Sequence, residues 1–390
     1  MNILVYRWDI YPYDDIIQTL TEQGHFVDVL AFPISSRLED STFETVLTKK
    51  LNAGYDMVFS VNYYAVIATV CNSLNLPYAS WTCDSPLLSL QHPSVFFPGN
   101  YIFLFDYKEY QALQQAGVPH AYYLPLAGIR LESGRAAFDT DHLEKSAYDY
   151  DISFIGNLYD RNRYDEMCCY LPDYLCGYMD AAIEAQKSIS GGNLLPGMLS
   201  DEILADLSRY TKIINGTSSP NELRMHFATT VLSYKAAADT RTDALNFLAM
   251  HHNVHLFTTS QGEQLERVTM HPAVDYHTEM PQVFHRSKIN LNFTLPNIEN
   301  GIPLRVFDVL ASGGFLLTDY RAEICRQFEN GVDLVVFDGL ADLNHKTDYY
   351  LSHPEERIQI ARNGQKKVQQ LHQYKDRLEK ILHTVFPSLN

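Results

Sequence analysis

Residues 300–321 read NGIPLRVFDVLASGGFLLTDYR. The middle of this stretch is apolar on nearly every side. Leu304, Val306, Phe307, Val309, Leu310 and Ala311 leave little polar face, which describes a helix packed into a core. Gly313 and Gly314 end that helix. The segment FLLTD then follows as a buried strand, stopped by Thr318 and Asp319. Asn300 is a good N-cap, Gly301 permits close backbone approach, and Pro303 suits the first helical turn. Two charges interrupt the apolar pattern. Arg305 lies in the first turn, where the helix dipole disfavours a cation. An anion bound at that terminus reverses the penalty, and a diphosphate matches a guanidinium fork. Asp308, three residues on, falls on nearly the same face, where a carboxylate can accept both hydroxyls of a ribose. Together the pair would hold a nucleoside diphosphate. The alternative is an i,i+3 Arg–Asp ion pair on the helix surface.

The helix–strand alternation extends in both directions. NILVY, HFVDVLAF, YDMVFSV, PYASWTC, YIFLFD and AYYLPLA read as strands, separated by helices such as FETVLTKKLNAG and KEYQALQQAG. The pattern restarts at YDISFIGNLYDRNR and resumes through NVHLFTT, AVDYH, MPQVFHRS, KINLNFT and VDLVVFD. Alternation of this kind predicts mostly parallel, doubly wound sheets. A chain of 390 residues exceeds the usual size of one hydrophobic core. The expected fold is therefore α/β, with two Rossmann-like doubly wound domains facing across a cleft. Residues 1–128 form the first domain and 129–149 a polar linker. Residues 150–372 form the second, with a helical insertion over about 165–250, and 373–390 a terminal helix.

Composition narrows the function. A hydrophobic content of 46% and a charged content of 20% describe an ordinary globular chain. A net charge of −17 argues against nucleic-acid and anionic-membrane partners. The six cysteines form no CxxC pair and no zinc-type spacing, so reduced thiols and a cytoplasmic location are expected. No apolar run is long enough for a membrane span, and the first residues do not pattern as a signal peptide. The first strand is followed by RWDIYPYDD, which lacks the GxGxxG turn, and no GxxxxGK[ST] occurs. Dinucleotide and P-loop chemistry are thereby disfavoured. Histidines and carboxylates show no metal-ligand spacing, so neither a metal nor a cofactor is expected.

The stretch NGIPLRVFDVLA resembles the donor-binding motif of GT-B glycosyltransferases, in particular the CgeB-like (spore-maturation-type) branch. SKINLNFT before it, GGFLLTDYR after it and YYLSHPEERIQIARNGQKKV are similar to the same branch, as are LPYASWTCDSP and YDISFIGNLYDRNR. GT-B enzymes carry two glutamates eight positions apart around this helix start. Here those positions hold Asn300 and Asp308, so the ribose carboxylate is kept and the first glutamate is replaced. The resemblance implies a sugar transferred from a nucleoside-diphosphate donor to a glycan, protein or small-molecule hydroxyl, without a divalent ion. It also implies a donor site containing Gly156 at the first turn of the second domain and the basic residues Arg161 and Arg163 just beyond it. The loop with Tyr276 and His277 would flank the nucleobase, either by stacking or as an ordinary surface histidine and core tyrosine. Asp319, which ends the strand after the motif, is a further donor-side candidate.

On the acceptor side, residues just after strands of the first domain are the candidates. These are Trp8, Asn62 and Tyr63, with Asp84 and Asp9 as possible general bases, since an inverting transfer needs one to deprotonate the acceptor. For Asp84 the alternative is an Asp–Ser–Pro capping turn. Two other functions remain compatible: a GT-B sugar-nucleotide epimerase or phosphorylase, and a degenerate domain that only binds a partner.

Overall fold

Apolar segments that pair without hairpins must find parallel neighbours through crossover helices, and every strand pairing between the named strands of this protein is parallel. The computed structural model describes residues 1–8, 12–131, 148–210 and 220–388. Asp9 and most of the expected linker lie outside the described residues. Contacts group the chain into two units. One comprises Met1–Arg130, Asn300–Asp308 and Lys367–Asn390, and the other Leu131–Glu299 and Val309–Lys366.

The first unit alternates β1 (Asn2–Tyr6), α1 (Pro12–Glu22), β2 (Phe26–Leu30), α2 (Ser41–Leu51), β3 (Met57–Val61), α3 (Ala65–Ser73), β4 (Tyr78–Trp81), β5 (Asn100–Leu104), α4 (Tyr107–Gln115) and β6 (Ala121–Tyr123). The strand order is β2-β1-β3-β4-β5-β6. Direction along the sheet therefore reverses between β1 and β3, which is where ligands bind in open α/β sheets. Local chemistry fixes the helices. Asp40 Oδ1 accepts the Phe43 N–H at 2.9 Å and caps α2, whose last turn carries Lys49 and Lys50 against the dipole.

The second unit opens with β7 (Tyr150–Ile155) and then inserts α5 (Arg163–Cys168), α6 (Asp173–Lys187), α7 (Leu195–Met198), α8 (Asp201–Tyr210) and α9 (Pro220–His226). A π-helical turn at Phe227–Leu232 leads into α10 (Ser233–Ala249). The insertion has an apolar core of its own, which includes Leu175, Met179, Leu207 and Phe227. Then follow β8 (Val254–Thr258), β9 (Thr269–Pro272), α11 (Met280–His285), β10 (Ser287–Asn292), α12 (Leu304–Ala311), β11 (Leu316–Asp319), α13 (Ala322–Gln327), β12 (Val335–Phe337), α14 (Gly339–Ser352), α15 (Pro354–Leu371) and α16 (Tyr374–Val385). The order β12-β11-β10-β7-β8-β9 places this sheet's reversal between β7 and β10. Leu317, fully buried in β11, marks the centre of its core, and Leu317→Ala would cost about 2–5 kcal/mol. The last helix of the chain, α16, belongs to the first unit and packs on α1 there, and the Tyr374 ring meets Trp81 edge-on at 6.0 Å.

Two local readings are corrected. Helix α12 begins at Leu304, and the Val306 N–H bonds to the Pro303 carbonyl at 3.0 Å. Asn300 is thus four residues upstream of the helix and does not cap it. Its N–H instead donates to Asp106 Oδ2 at 3.3 Å. The segment AVDYH is a turn, not a strand. Asp275 Oδ1 takes the Thr278 N–H at 2.8 Å and the Thr278 hydroxyl at 2.6 Å, and these bonds compete with a ladder. The end of α12 behaves as its glycines predict. Gly313 has φ +70°, and a Cβ on Gly314 would lie 2.7 Å from Asn290 Nδ2 and 2.9 Å from the Phe284 carbonyl.

Candidate active site

At the first unit's reversal point, the chain after β1 is tied to the end of β3. Trp8 Nε1 donates to the Val61 carbonyl at 3.2 Å, and the Arg37 guanidinium lies 5.3 Å from the centre of the indole ring. Tyr6, Arg7, Trp8 and Phe32 line a pocket of about 370 Å³ there. Asn62, the residue after β3, is fully buried and has φ +64°, a strained conformation for a side chain with a Cβ. That conformation aims its amide at the next loop. Nδ2 donates to Asp84 Oδ2 at 2.8 Å, while Oδ1 accepts the Cys83 N–H at 2.9 Å and the Asp84 N–H at 3.2 Å. Asp84 is itself exposed, so its carboxylate is held on one side and open on the other. Tyr63 does not line this surface. It is fully buried, shares its hydroxyl with Ser94 Oγ at 2.7 Å, and burial pushes its pKa up, so it serves the core.

A second carboxylate lies near Asp84, and sequence reasoning missed it. Glu109, in the first turn of α4, accepts the Leu87 N–H on Oε1 at 2.9 Å. Its Oε2 is shut away from solvent without a partner. Burial, reinforced by the charges of Asp106 and Asp84, pushes its pKa up to about 8. In the same unit, Arg305 Nη1 lies 3.8 Å from Asp308 Oδ2. Asp308 is only 1% exposed and Gly301 is buried, whereas the Arg305 side chain keeps 25% of its surface.

At the second unit's reversal point, Gly156 follows β7 and donates its N–H to the Phe257 carbonyl at 3.1 Å. A Cβ here would lie 3.0 Å from the Phe154 ring, so the turn is tight. Arg241, which projects from α10, spans the reversal. Nη2 donates to the Phe293 carbonyl after β10 at 2.7 Å, and Nη1 donates to the Asn157 carbonyl after β7. Its guanidinium stands 5.4 Å from the Phe154 ring centre and 4.7 Å from that of Tyr159. Arg241 is 7% exposed, its Nε lacks an acceptor, and among the described residues it has no carboxylate partner. A buried cation left in this state is costly unless an anion joins it. One signal in the sequence could have found it. Ala237, Arg241, Ala244, Leu245 and Leu248 fall at helical spacing on one buried stripe, and a lone charge on such a stripe calls for an explanation.

The other predicted donor residues of this unit are dispersed. Arg161 and Arg163 are exposed, and Arg163 Nη1 approaches His226 Nε2 at 3.5 Å. Tyr276 is buried at 5% exposure with its ring edge-on to the half-buried His277, so the tyrosine packs in the core. Asp319 binds within the protein. Oδ1 accepts the Thr294 N–H at 2.9 Å and its hydroxyl at 2.8 Å, and Oδ2 accepts from Arg321 at 3.0 Å, which locks the ends of β10 and β11 together. Among the described residues no group of three metal-ligating side chains converges, and no helix is long and apolar enough to cross a membrane. All six cysteines are free thiols.

Residues 241–383 match the family model described as glycosyl transferase-like, a span that begins at Arg241 and contains α12. The chain carries a glycosyltransferase domain. Solved structures agree on the architecture over the full length. Anabaena HepE is 11% identical with a TM-score of 0.56, each chain being covered to 99%. The sucrose-phosphate synthase of Thermosynechococcus elongatus is 12% identical at 0.52, with both chains fully covered. A glycosyltransferase from Rickettsia africae is 8% identical at 0.52, with each chain covered to 99%. This glycosyltransferase domain therefore sits in a GT-B fold. No curated protein sequence matches the chain.

Proposed function

We propose that this protein transfers a sugar from a uridine-diphosphate sugar to an acceptor hydroxyl. Arg241 carries the reading. It is a buried guanidinium at the β7/β10 reversal, without a carboxylate partner among the described residues and beside the tight Gly156 turn. A departing diphosphate would meet its charge there. Uridine is favoured as the base because HepE, which shares the fold, was crystallised with UDP, with UDP and glucose, and with UDP-glucose. The acceptor's proton is taken by Asp84, held by Asn62, in a single displacement that inverts the anomeric centre. Charge on the leaving group is borne by side chains, so the reaction needs no divalent ion and no cofactor. The motif around Arg305 favours the CgeB-like branch. A net charge of −17 favours a glycan, protein or small-molecule acceptor over nucleic acid, and a cytoplasmic setting suits the free thiols.

The test is hydrolysis of UDP-, GDP-, CDP- and dTDP-sugars, run with and without EDTA. UDP-sugar turnover that survives EDTA is expected. Turnover of none, or turnover abolished by EDTA and restored by magnesium, overturns the donor or the metal-free part respectively.

A further inference from the structure

In the first unit, Arg37 is a half-buried cation for which the described residues supply no carboxylate. Its backbone carbonyl accepts the Val66 N–H at 3.3 Å, which ties the loop after β2 to the start of α3. From there the guanidinium lies 5.3 Å from the ring centre of Trp8 and 5.3 Å from that of Tyr64. Both distances are in the range of cation–π attraction, which gives the head group a fixed place. Neighbouring carboxylates are engaged with other groups. Asp40 caps α2 through Oδ1, and its Oδ2 accepts the Ser35 N–H at 2.8 Å and the Ser35 hydroxyl at 2.7 Å. Asp14 pairs with Arg7 at 2.9 Å.

The surroundings of this cation are those of a small-molecule site. Trp8, anchored through Nε1 to the Val61 carbonyl, also lines the pocket of about 370 Å³ with Tyr6, Phe32 and Pro33. Aromatic walls with a few placed polar groups are the usual make-up of such pockets. Asp84 is close by. Burial pushes up both the Tyr64 hydroxyl and the Cys83 thiol, and on each of them Arg37 pulls down while Asp84 pushes further up. Cation, indole and proposed base therefore meet at the ends of β1, β3 and β4. The net charge of −17 disfavours an anion at long range. That field is screened beyond about 8 Å at physiological salt, so at contact distance the local cation decides.

We propose that the acceptor is an anionic saccharide, its ring resting on Trp8 and its carboxylate or phosphate paired with Arg37. This rests on the transferase reading above, in which Asp84 takes the acceptor's proton, and it narrows the acceptor to one chemical class. An aromatic face suits the C–H side of a sugar ring, and the guanidinium supplies charge-assisted hydrogen bonds that a neutral sugar leaves unmade. Arg37 is then the residue that sets acceptor specificity.

The full chain is titrated by ligand-observed NMR with methyl β-glucuronide, glucose 6-phosphate and methyl β-glucoside. The glucuronide or the sugar phosphate is expected to bind ~10-fold more tightly than the neutral glucoside, and which of them does so tells carboxylate from phosphate. Arg37→Gln should bring the anionic sugars down to the affinity of the glucoside, and Trp8→Ala should weaken all three. Failure of both anionic sugars to bind, or binding no tighter than that of the glucoside, overturns the proposal. A preference that survives Arg37→Gln overturns it as well. If Arg37→Gln does not fold, the unaltered protein decides: the preference must shrink between about 0.05 M and about 1 M salt, and one that does not is not an ion pair at this half-buried site. UDP-sugar hydrolysis is measured alongside. Its absence with the anionic preference intact counts against the transferase reading, whereas hydrolysis without the preference counts against the acceptor class alone.

Discussion

Arg305 Nη1 lies 3.8 Å from Asp308 Oδ2, one turn along α12, with the carboxylate 1% exposed and the arginine side chain 25% exposed. The pair is thus real but loose, and it serves a carboxylate that has been removed from water. Arg305→Ala withdraws a cation from a buried anion and should lower the melting temperature by a few degrees. From the dipole alone the opposite sign would follow. If the guanidinium also forks a diphosphate, UDP affinity falls by about 2–4 kcal/mol while uridine affinity barely changes. Calorimetry with both ligands separates the roles, and equal losses for the two would leave only the ion pair.

Arg241 gives a sharper case, because two backbone carbonyls already fix its plane. Arg241→Gln should weaken UDP by about 2–4 kcal/mol, the range for losing a desolvated charged partner. Arg241→Lys should restore little, since one ammonium cannot serve two carbonyls and an anion in a plane. Turnover measured alongside affinity should show kcat falling with the same variants if the charge also stabilises the leaving group.

For the acceptor side, Asp84→Asn should lower kcat by roughly 100-fold or more while leaving UDP affinity intact. Asn62→Ala removes the amide that holds Asp84 Oδ2 and should give a smaller loss in kcat. Normal turnover by Asp84→Asn would transfer the role elsewhere, and retained anomeric configuration by NMR would exclude the single displacement.

Glu109 makes stability depend on pH. Its folded pKa, about 8, exceeds the unfolded carboxylate value, so the native state binds the proton more tightly. The favourable contribution is complete below the unfolded pKa and is lost as pH rises through about 8. Glu109→Gln, which mimics the protonated form, should therefore raise the melting temperature relative to the parent at pH 9 and change it little at pH 4. A difference independent of pH would show that the carboxylate is not the titrating group.

Much of this protein could be read from residue pattern. Period-two and fully apolar runs bounded by glycine gave the alternation, and the Gly313–Gly314 stop appears where predicted because a Cβ on Gly314 finds no room. Asn62 and Asp84 were legible as residues just after strands, which is a statement about topology. The helix starts at Leu304 and not beside Asn300, whose backbone N–H donates to Asp106 Oδ2, because capping preference is a property of the residue type and does not fix where the first helical turn closes. AVDYH was misread because a side-chain oxygen of Asp275 outcompeted the ladder.

What the sequence determined by itself is the kind of fold, since hydrophobic period and turn chemistry are local properties written residue by residue. What only tertiary structure decided is which charges are left without counterparts. Tyr63 and Tyr276 looked like site residues and became core, whereas Arg241 and Arg321 looked like ordinary basic residues and became buried donors. Burial and hydrogen-bond satisfaction depend on partners tens of residues away, Asn157 and Phe293 for one arginine and Thr294 for the other. No local pattern carries that information, because desolvation is a property of the packed environment and not of the segment.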